Sequence, residues 1–197
     1  MTEIGIPTTV RRTVAFSPAI YEGKAEVEGI EGVRCDSLEE MVIAVAERKI
    51  PVLEDPECQL AMEWRPDVVV DAIIAKKNLG TTIRDAKIVI GVGPGFTAGA
   101  DCHCVVETKR GHDLGRVLWK GSAVPNTGVP GMIGGYAKER IILASGDGIF
   151  KGMCRIGDLV EKGQLVGMAG ENPIYAEIPG VVRGLLQDGV PVKMGMK

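Results

Sequence analysis

The sequence predicts a mixed fold: an α/β layer built on a parallel sheet, followed by a β-rich part. Strand-like and helix-like apolar patterns alternate through residues 1–100, which is the signature of parallel strands joined by crossovers. After Gly99 the texture changes to short apolar runs separated by glycine and proline. Residues 148–165 can also be written over residues 180–197 without a gap, so that "GIFKGMCRIGDLVEKGQL" lies on "GVVRGLLQDGVPVKMGMK". A repeated unit of this kind cannot bury its apolar face alone and pairs with its copy.

The clearest helix starts at Ser37, where "SLEE" sets Glu40 three residues after a capping hydroxyl. Leu38, Met41, Val42 and Val45 then form its expected apolar stripe. "IPVLED" reads as a short strand, and "PDVVVDAIIA" as a buried strand whose Ala-Ile-Ile-Ala end is also compatible with helix. "AKIVIGVGPG" is the next strand. "CHCVVET" and "RVLWKG" are two further strands joined by "KRGHDLG" as a hairpin. "GSAVPNTGVPGMIGGY" is too rich in turn residues to be regular. The division this implies is 1–100 for the α/β part, 101–136 for the hairpin and connecting region, and 137–197 for the β domain. In the repeat Gly148, Gly152, Gly157, Val160 and Gly163 fall on Gly180, Gly184, Gly189, Val192 and Gly195, and a quasi-dyad between the copies would close a small β-sandwich.

Composition excludes several classes. A net charge of -3 and an aromatic content of 4% provide neither the phosphate-neutralising surface nor the stacking platform that nucleic acid needs. Five irregularly spaced cysteines fit reduced thiols better than a disulfide framework. No apolar run approaches the length of a membrane span, and "MTEIGIPTTVRR" has no apolar signal region. A soluble cytoplasmic protein is expected.

The stretch "IVIGVGPGFTAGADCHCVVETKRGH" holds most of the candidate chemistry. Gly91, Gly93 and Gly95 follow a strand, as a phosphate cradle does, but Pro94 removes an amide and no clear helix opens afterwards. Two readings stay open: ligand contact, or a turn that lets two backbones approach. Cys102, His103 and Cys104 lack the second ligand pair a tetrahedral zinc site requires, so no metal is expected. His103 and His112 are the two histidines of the chain and flank Glu107 and Arg110. These four form a candidate acid/base and substrate-orienting set; the bland alternative is a set of hairpin-turn residues. Lys76 and Asn78 follow a strand, at the edge where open α/β sheets bind ligands. Asn126 and Thr127 in "PNTG" are turn formers and candidate ligand contacts.

The repeat resembles the biotinyl/lipoyl-type barrel-sandwich hybrid over residues 140–197. It departs from the carriers of that type, which expose an acylated lysine between the halves, because "MAGENPIYAEIPG" stands there and no lysine lies between Lys162 and Lys193. The fold is therefore expected without the carrier chemistry.

Taken together, "RRTVAF", "PDVVVDAIIAKKNLGT", "IGVGPGFTAGADCHCVVETKRGHDLGRV", "GSAVPNTGVPG" with "IGGY", and "VPVKMGMK" resemble the YqeB-type accessory proteins of selenium-dependent molybdenum hydroxylases, from end to end of the chain. The resemblance implies a role in maturing such a hydroxylase, or in supplying it with selenium or cofactor, with the hydroxylase or its maturation machinery as partner. His103, Glu107, Arg110, His112, Lys76 and Asn78 match the family pattern, whereas Cys102 and Cys104 look particular to this chain. Members of the family begin further upstream, with a strand, a "GAGDLATG"-like glycine loop and a helix. The expected front half is thus an incomplete Rossmann-like layer in which Glu3 ends a second strand, where such folds bind a ribose hydroxyl. Without the upstream loop, NAD(P) or another nucleotide is expected to bind weakly or not at all, and more tightly to a longer form. Two other classes remain beside the accessory role: a nucleotide-dependent oxidoreductase or transferase using the His/Glu/Arg hairpin, and a non-catalytic docking module.

Overall fold

The computed structural model describes residues 1–128 and 131–197. They divide into two compact units, one made of residues 1–60 with 132–197, the other of residues 61–131. The class is mixed α/β, mostly strands in several open sheets with few helices.

In the first unit, strand β1 (Thr2–Glu3), helix α1 (Ala19–Glu22), strands β2 (Lys24–Val27) and β3 (Ile30–Cys35), helix α2 (Leu38–Ala46) and strand β4 (Ile50–Glu54) form a sheet of order β1-β4-β3-β2 with its helices. β2 and β3 are joined by Glu28 and Gly29, with φ of 53° and 79°, the positive pair that a tight type I′ hairpin turn demands. β3, α2 and β4 are a βαβ crossover, with Gly32 to Cys35 parallel to Ile50 to Leu53. The cap forms as expected: the Glu40 N–H donates to Ser37 Oγ at 3.2 Å, and the Glu40 carboxylate reaches back to the Asp36 N–H at 2.8 Å. The buried face of α2 differs from the expected one. Met41 and Ala44, with Leu38 beside them, pack on Cys35 and Leu53, while Val42 and Val45 are exposed. Either stripe satisfies the helical period; the tilt of the helix on its sheet chooses between them.

The second unit holds strands β5 (Val68–Asp71), β6 (Ile88–Val92), β7 (Thr97–Ala98), β8 (Cys104–Val106), β9 (Val117–Leu118) and β10 (Gly121–Ser122). Its main sheet has the order β5-β6-β8-β9, in which the first two pairings are parallel and the last is the antiparallel hairpin. β7 pairs with β10. Val89, Phe96, Ala98, Cys102, Val105 and Ala123 fill one face. The expected buried strand at 66–75 is shortened to Val68–Asp71: Val68 and Val70 are exposed, and after Asp71 the chain turns through Ile74 and Lys76 with φ of 58° and 65°, which no helix allows. β6 pairs with β8 across residue 100, so the change of composition there lies within one sheet.

The remaining part of the first unit carries strands β11 (Gly148–Gly152), β12 (Leu159–Val160), β13 (Leu165–Ala169), β14 (Asn172–Tyr175), β15 (Gly180–Val181) and β16 (Pro191–Val192). The repeat here is a symmetry of hydrogen bonds. Gly148 pairs with Val192 in β11·β16, and Gly180 pairs with Val160 in β15·β12, so each half lends its first strand to the last strand of the other. Gly157 N–H to Val182 O at 2.8 Å has its mate in Gly189 N–H to Phe150 O at 2.9 Å. Phe150 N–H to Val190 O at 2.8 Å has its mate in Val182 N–H to Asp158 O at 2.9 Å. The shared core includes Phe150, Val160, Val182 and Val192, contributed from equivalent positions.

Candidate functional site

The C-terminal ends of β5 and β6 open into loops that the sequence folds tightly. Asp71, buried at the end of β5, accepts from the Ile73 N–H at 3.1 Å and from the Thr81 hydroxyl at 2.6 Å. Asn78 closes the same loop, accepting from the Gly80 and Thr81 N–H groups at 2.9 and 2.8 Å and donating to the Thr81 carbonyl at 2.8 Å. Its amide is thus committed to the loop, and the loop presents Lys76. After β6 the glycines serve close approach. A Cβ on Gly91 would stand 2.5 Å from the Phe96 ring, and one on Gly95, whose φ is +116°, would stand 2.6 Å from the Lys77 backbone.

Between these loops and the 122–126 segment lies a cleft of about 480 Å³, lined by Lys76, Pro94, Gly95, Phe96, Thr97, Ser122, Ala123, Pro125 and Asn126. Lys76 makes no ion pair among the described residues. The Gly95 and Phe96 amides have no hydrogen-bond partner among them either. Thr97 and Ser122 hydroxyls lie 3.1 Å apart. An ammonium, free amides, hydroxyls and a carboxamide suit an oxyanion. Among the described residues no histidine, cysteine or carboxylate lines the cleft.

The four hairpin candidates do not meet there. His103 precedes β8 and Glu107 follows it, so about four residues at ~3.3 Å each separate them along the strand. His103 Nδ1 accepts from the Val89 N–H at 2.9 Å, and the His103 N–H donates to the Val89 carbonyl at 2.8 Å; the imidazole closes the opposite end of the sheet from the cleft. Glu107 is 4% exposed and holds backbone. Its carboxylate accepts from the Lys109 and Val124 N–H groups, both at 2.7 Å. The Val124 N–H above all, then those of Lys109 and Thr108, hold its carboxyl below the ordinary glutamate range against the opposing effect of desolvation. Glu107 therefore positions the 123–126 segment that lines the cleft. Arg110 and His112 are exposed in the hairpin turn.

Of the other candidates, Lys76, Gly95 and Asn126 line the cleft. Gly91 and Gly93 are buried packing positions, the latter against Thr108. Thr127 is exposed. Glu3, in the other unit, ends β1 and accepts from the Ile4 N–H at 2.9 Å. No helix follows Gly95, since β7 begins at Thr97, so the loop lacks the helix N-terminus of a dinucleotide cradle. Phe96, Thr97 and Ser122 were missed by sequence reasoning; the β7·β10 pairing that gathers them spans strands of two residues each, too short for periodicity to reveal. Cys102 and Cys104 are buried, and burial pushes the Cys102 thiol up.

No protein-family model matches the chain, and no solved structure matches it. Over all 197 residues the chain is 47% identical to the Escherichia coli (strain K12) protein called "Uncharacterized protein YqeB", and it spans 36% of the length of that relative.

Proposed function

We propose, from the premise that such identity over every residue supports placing the chain with the YqeB-type proteins, that it serves as an accessory protein of a selenium-dependent molybdenum hydroxylase. Its part is maturation, or the supply of selenium or cofactor, in the cytoplasm. The observation that carries the site is the convergence of Lys76, Gly95 and Asn126 on one cleft, and we assign that cleft to an anionic, phosphate-bearing small molecule. A phosphate-bearing cofactor fits those donors. Selenium carried on a protein thiolate does not, because no cysteine lines the cleft and a buried, neutral thiol is a poor nucleophile. Among the described residues no helix is long and apolar enough to cross a membrane.

On this reading the βαβ unit of β3, α2 and β4 is part of a Rossmann-like layer. Residues 137–197 are barrel-sandwich-hybrid-like, a reading supported by the exchanged strand pairs of the two halves. The test is hydroxylase maturation in cells whose own accessory gene is deleted. Lys76→Ala is expected to abolish maturation while co-purification with the hydroxylase or its machinery persists. Full maturation with Lys76→Ala overturns the assignment of the cleft. A second reading, a docking module, is favoured by Leu114, Val117 and Trp119, exposed at 58%, 45% and 71%. It expects co-purification to be lost in Trp119→Ala.

A further inference from the structure

The two halves of the C-terminal β domain are equivalent in most of their hydrogen bonds, and the place where the equivalence fails is informative. β11 and β16 belong to a sheet of order β14-β13-β11-β16, whereas their mates β15 and β12 form a sheet of two strands. The symmetry relates Gly148 to Gly180 and Val192 to Val160. Carried through, it sets residues 140–143 in the place of β14, and no strand among the described residues takes the place of β13. Ile142 already behaves as the mate of Ile174, since it packs on the same core. On the outer edge of β11, Phe150, Lys151 and Gly152 pair with Ala169, Met168 and Gly167. The equivalent residues, just after β15, are Val182, Arg183 and Gly184. The Arg183 amide and carbonyl have no hydrogen-bond partner among the described residues.

The entrance to the open place is marked twice. There, Gly163 N–H to Ala176 O and Ala176 N–H to Gln164 O, at 2.7 and 2.9 Å, are repeated as Gly195 N–H to Ala144 O and Ala144 N–H to Met196 O, at 2.9 and 2.8 Å. Chain leaving Gln164 runs directly into β13; by the same geometry, chain leaving Met196 is aimed at the open place. Just inside the entrance, Met153 N–H donates to Val166 O at 3.0 Å, while its mate Leu185 N–H donates to Val10 O at 2.7 Å. Val10, borrowed from the N-terminal segment, stands in for the first residue of the absent strand.

We propose that this edge, Val182 to Gly184, receives one more extended strand, antiparallel to β15, entering from Lys197 and alternating apolar with small residues as 166–169 do. The occupant is polypeptide that follows the Lys197 position in longer chains; the Escherichia coli relative, of which this chain spans 36%, has the length to supply it. The strand takes the Leu185 N–H over from Val10. This goes beyond the accessory role and is independent of the cleft at Lys76.

The test adds Val-Gly-Met-Ala, the sequence of residues 166–169, directly after Lys197, and follows amide hydrogen exchange by NMR. The Arg183 amide is expected to exchange at least about tenfold more slowly than in the parent, as one new backbone hydrogen bond requires. Proline as the third residue of the same extension removes the N–H that the Arg183 carbonyl would accept and sets its ring against the facing strand, so the pairing is lost and the Arg183 amide is expected to return to the parent rate. Unchanged exchange at Arg183, or equal slowing by the proline form, overturns the proposal. Equal slowing by the free tetrapeptide at stoichiometric concentration overturns the entry from Lys197. Protection that depends on the concentration of the unextended chain instead assigns the edge to a second copy and overturns the proposed occupant.

Discussion

Replacing Glu107 by glutamine removes one charge and leaves the side-chain shape, which isolates the carboxylate's hold on the 123–126 segment. The carboxylate takes the Lys109 and Val124 N–H groups, one on each oxygen, both at 2.7 Å. A carboxamide has one acceptor oxygen, so one of these bonds is lost and an NH2 group faces a part-buried N–H. A hydrogen bond to a charged group contributes about 1.5–3 kcal/mol and an unsatisfied buried donor costs about 1–3 kcal/mol; because the two overlap, Glu107→Gln should destabilise by about 2–4 kcal/mol. Trp64 and Trp119, the two tryptophans of the chain, both lie in the unit that holds Glu107, so urea unfolding followed by tryptophan fluorescence reads the change. The pH dependence has a definite sign. A carboxyl whose folded pKa lies below its unfolded value contributes stability that is fully present above the unfolded value and is lost as pH falls through the folded one. The gap between parent and variant should therefore be constant from pH 7 down to the ordinary glutamate range near about 4.3 and then narrow. A variant within about 0.5 kcal/mol of the parent at pH 7, the ordinary scatter of surface substitutions, would refute the carboxylate as the anchor of this segment.

Three other outcomes are expected. Gly95→Ala places a methyl 2.6 Å from the Lys77 backbone at a φ of +116° and should cost about 1–3 kcal/mol more than Gly99→Ala, whose φ is +87° with nothing within 4 Å; thermal unfolding of the pair checks this. His103→Ala leaves the Val89 N–H without its 2.9 Å acceptor and should lower stability by about 1–3 kcal/mol without weakening phosphate binding at the cleft, read by calorimetry. Ser37→Ala removes the 3.2 Å cap on α2 and should destabilise by about 0.5–2 kcal/mol, seen as an earlier loss of the far-ultraviolet helical signal on heating.

Features fixed by neighbours in the chain were legible beforehand, namely the Ser37 cap, the hairpin of β8 and β9, and the repeat. The buried face of α2 was not, because the choice between Ala44 and the Val42/Val45 pair depends on how a helix tilts over a sheet, which periodicity leaves open. The candidate site was partly legible: Lys76, Gly95 and Asn126 line the cleft. The grouping of His103 with Glu107 overlooked strand polarity. Residues just before and just after a parallel strand lie at opposite ends of the sheet however short the spacing, and β8 lies between these two. Asp71 and Asn78 show a related ambiguity. A polar residue after a strand can hold a ligand or hold its own loop, and the Asp71–Thr81 and Asn78–Thr81 bonds place both in the second role.

The twofold relation within the β domain turns the molecule into its own control experiment. Gly157 and Gly189 are equivalent residues with φ of +101° and +89° and no atoms within 4 Å of an added Cβ, so alanine at either is the same local insult delivered twice to one polypeptide. Any difference between the two responses reports on what surrounds each copy, since the backbone chemistry cancels.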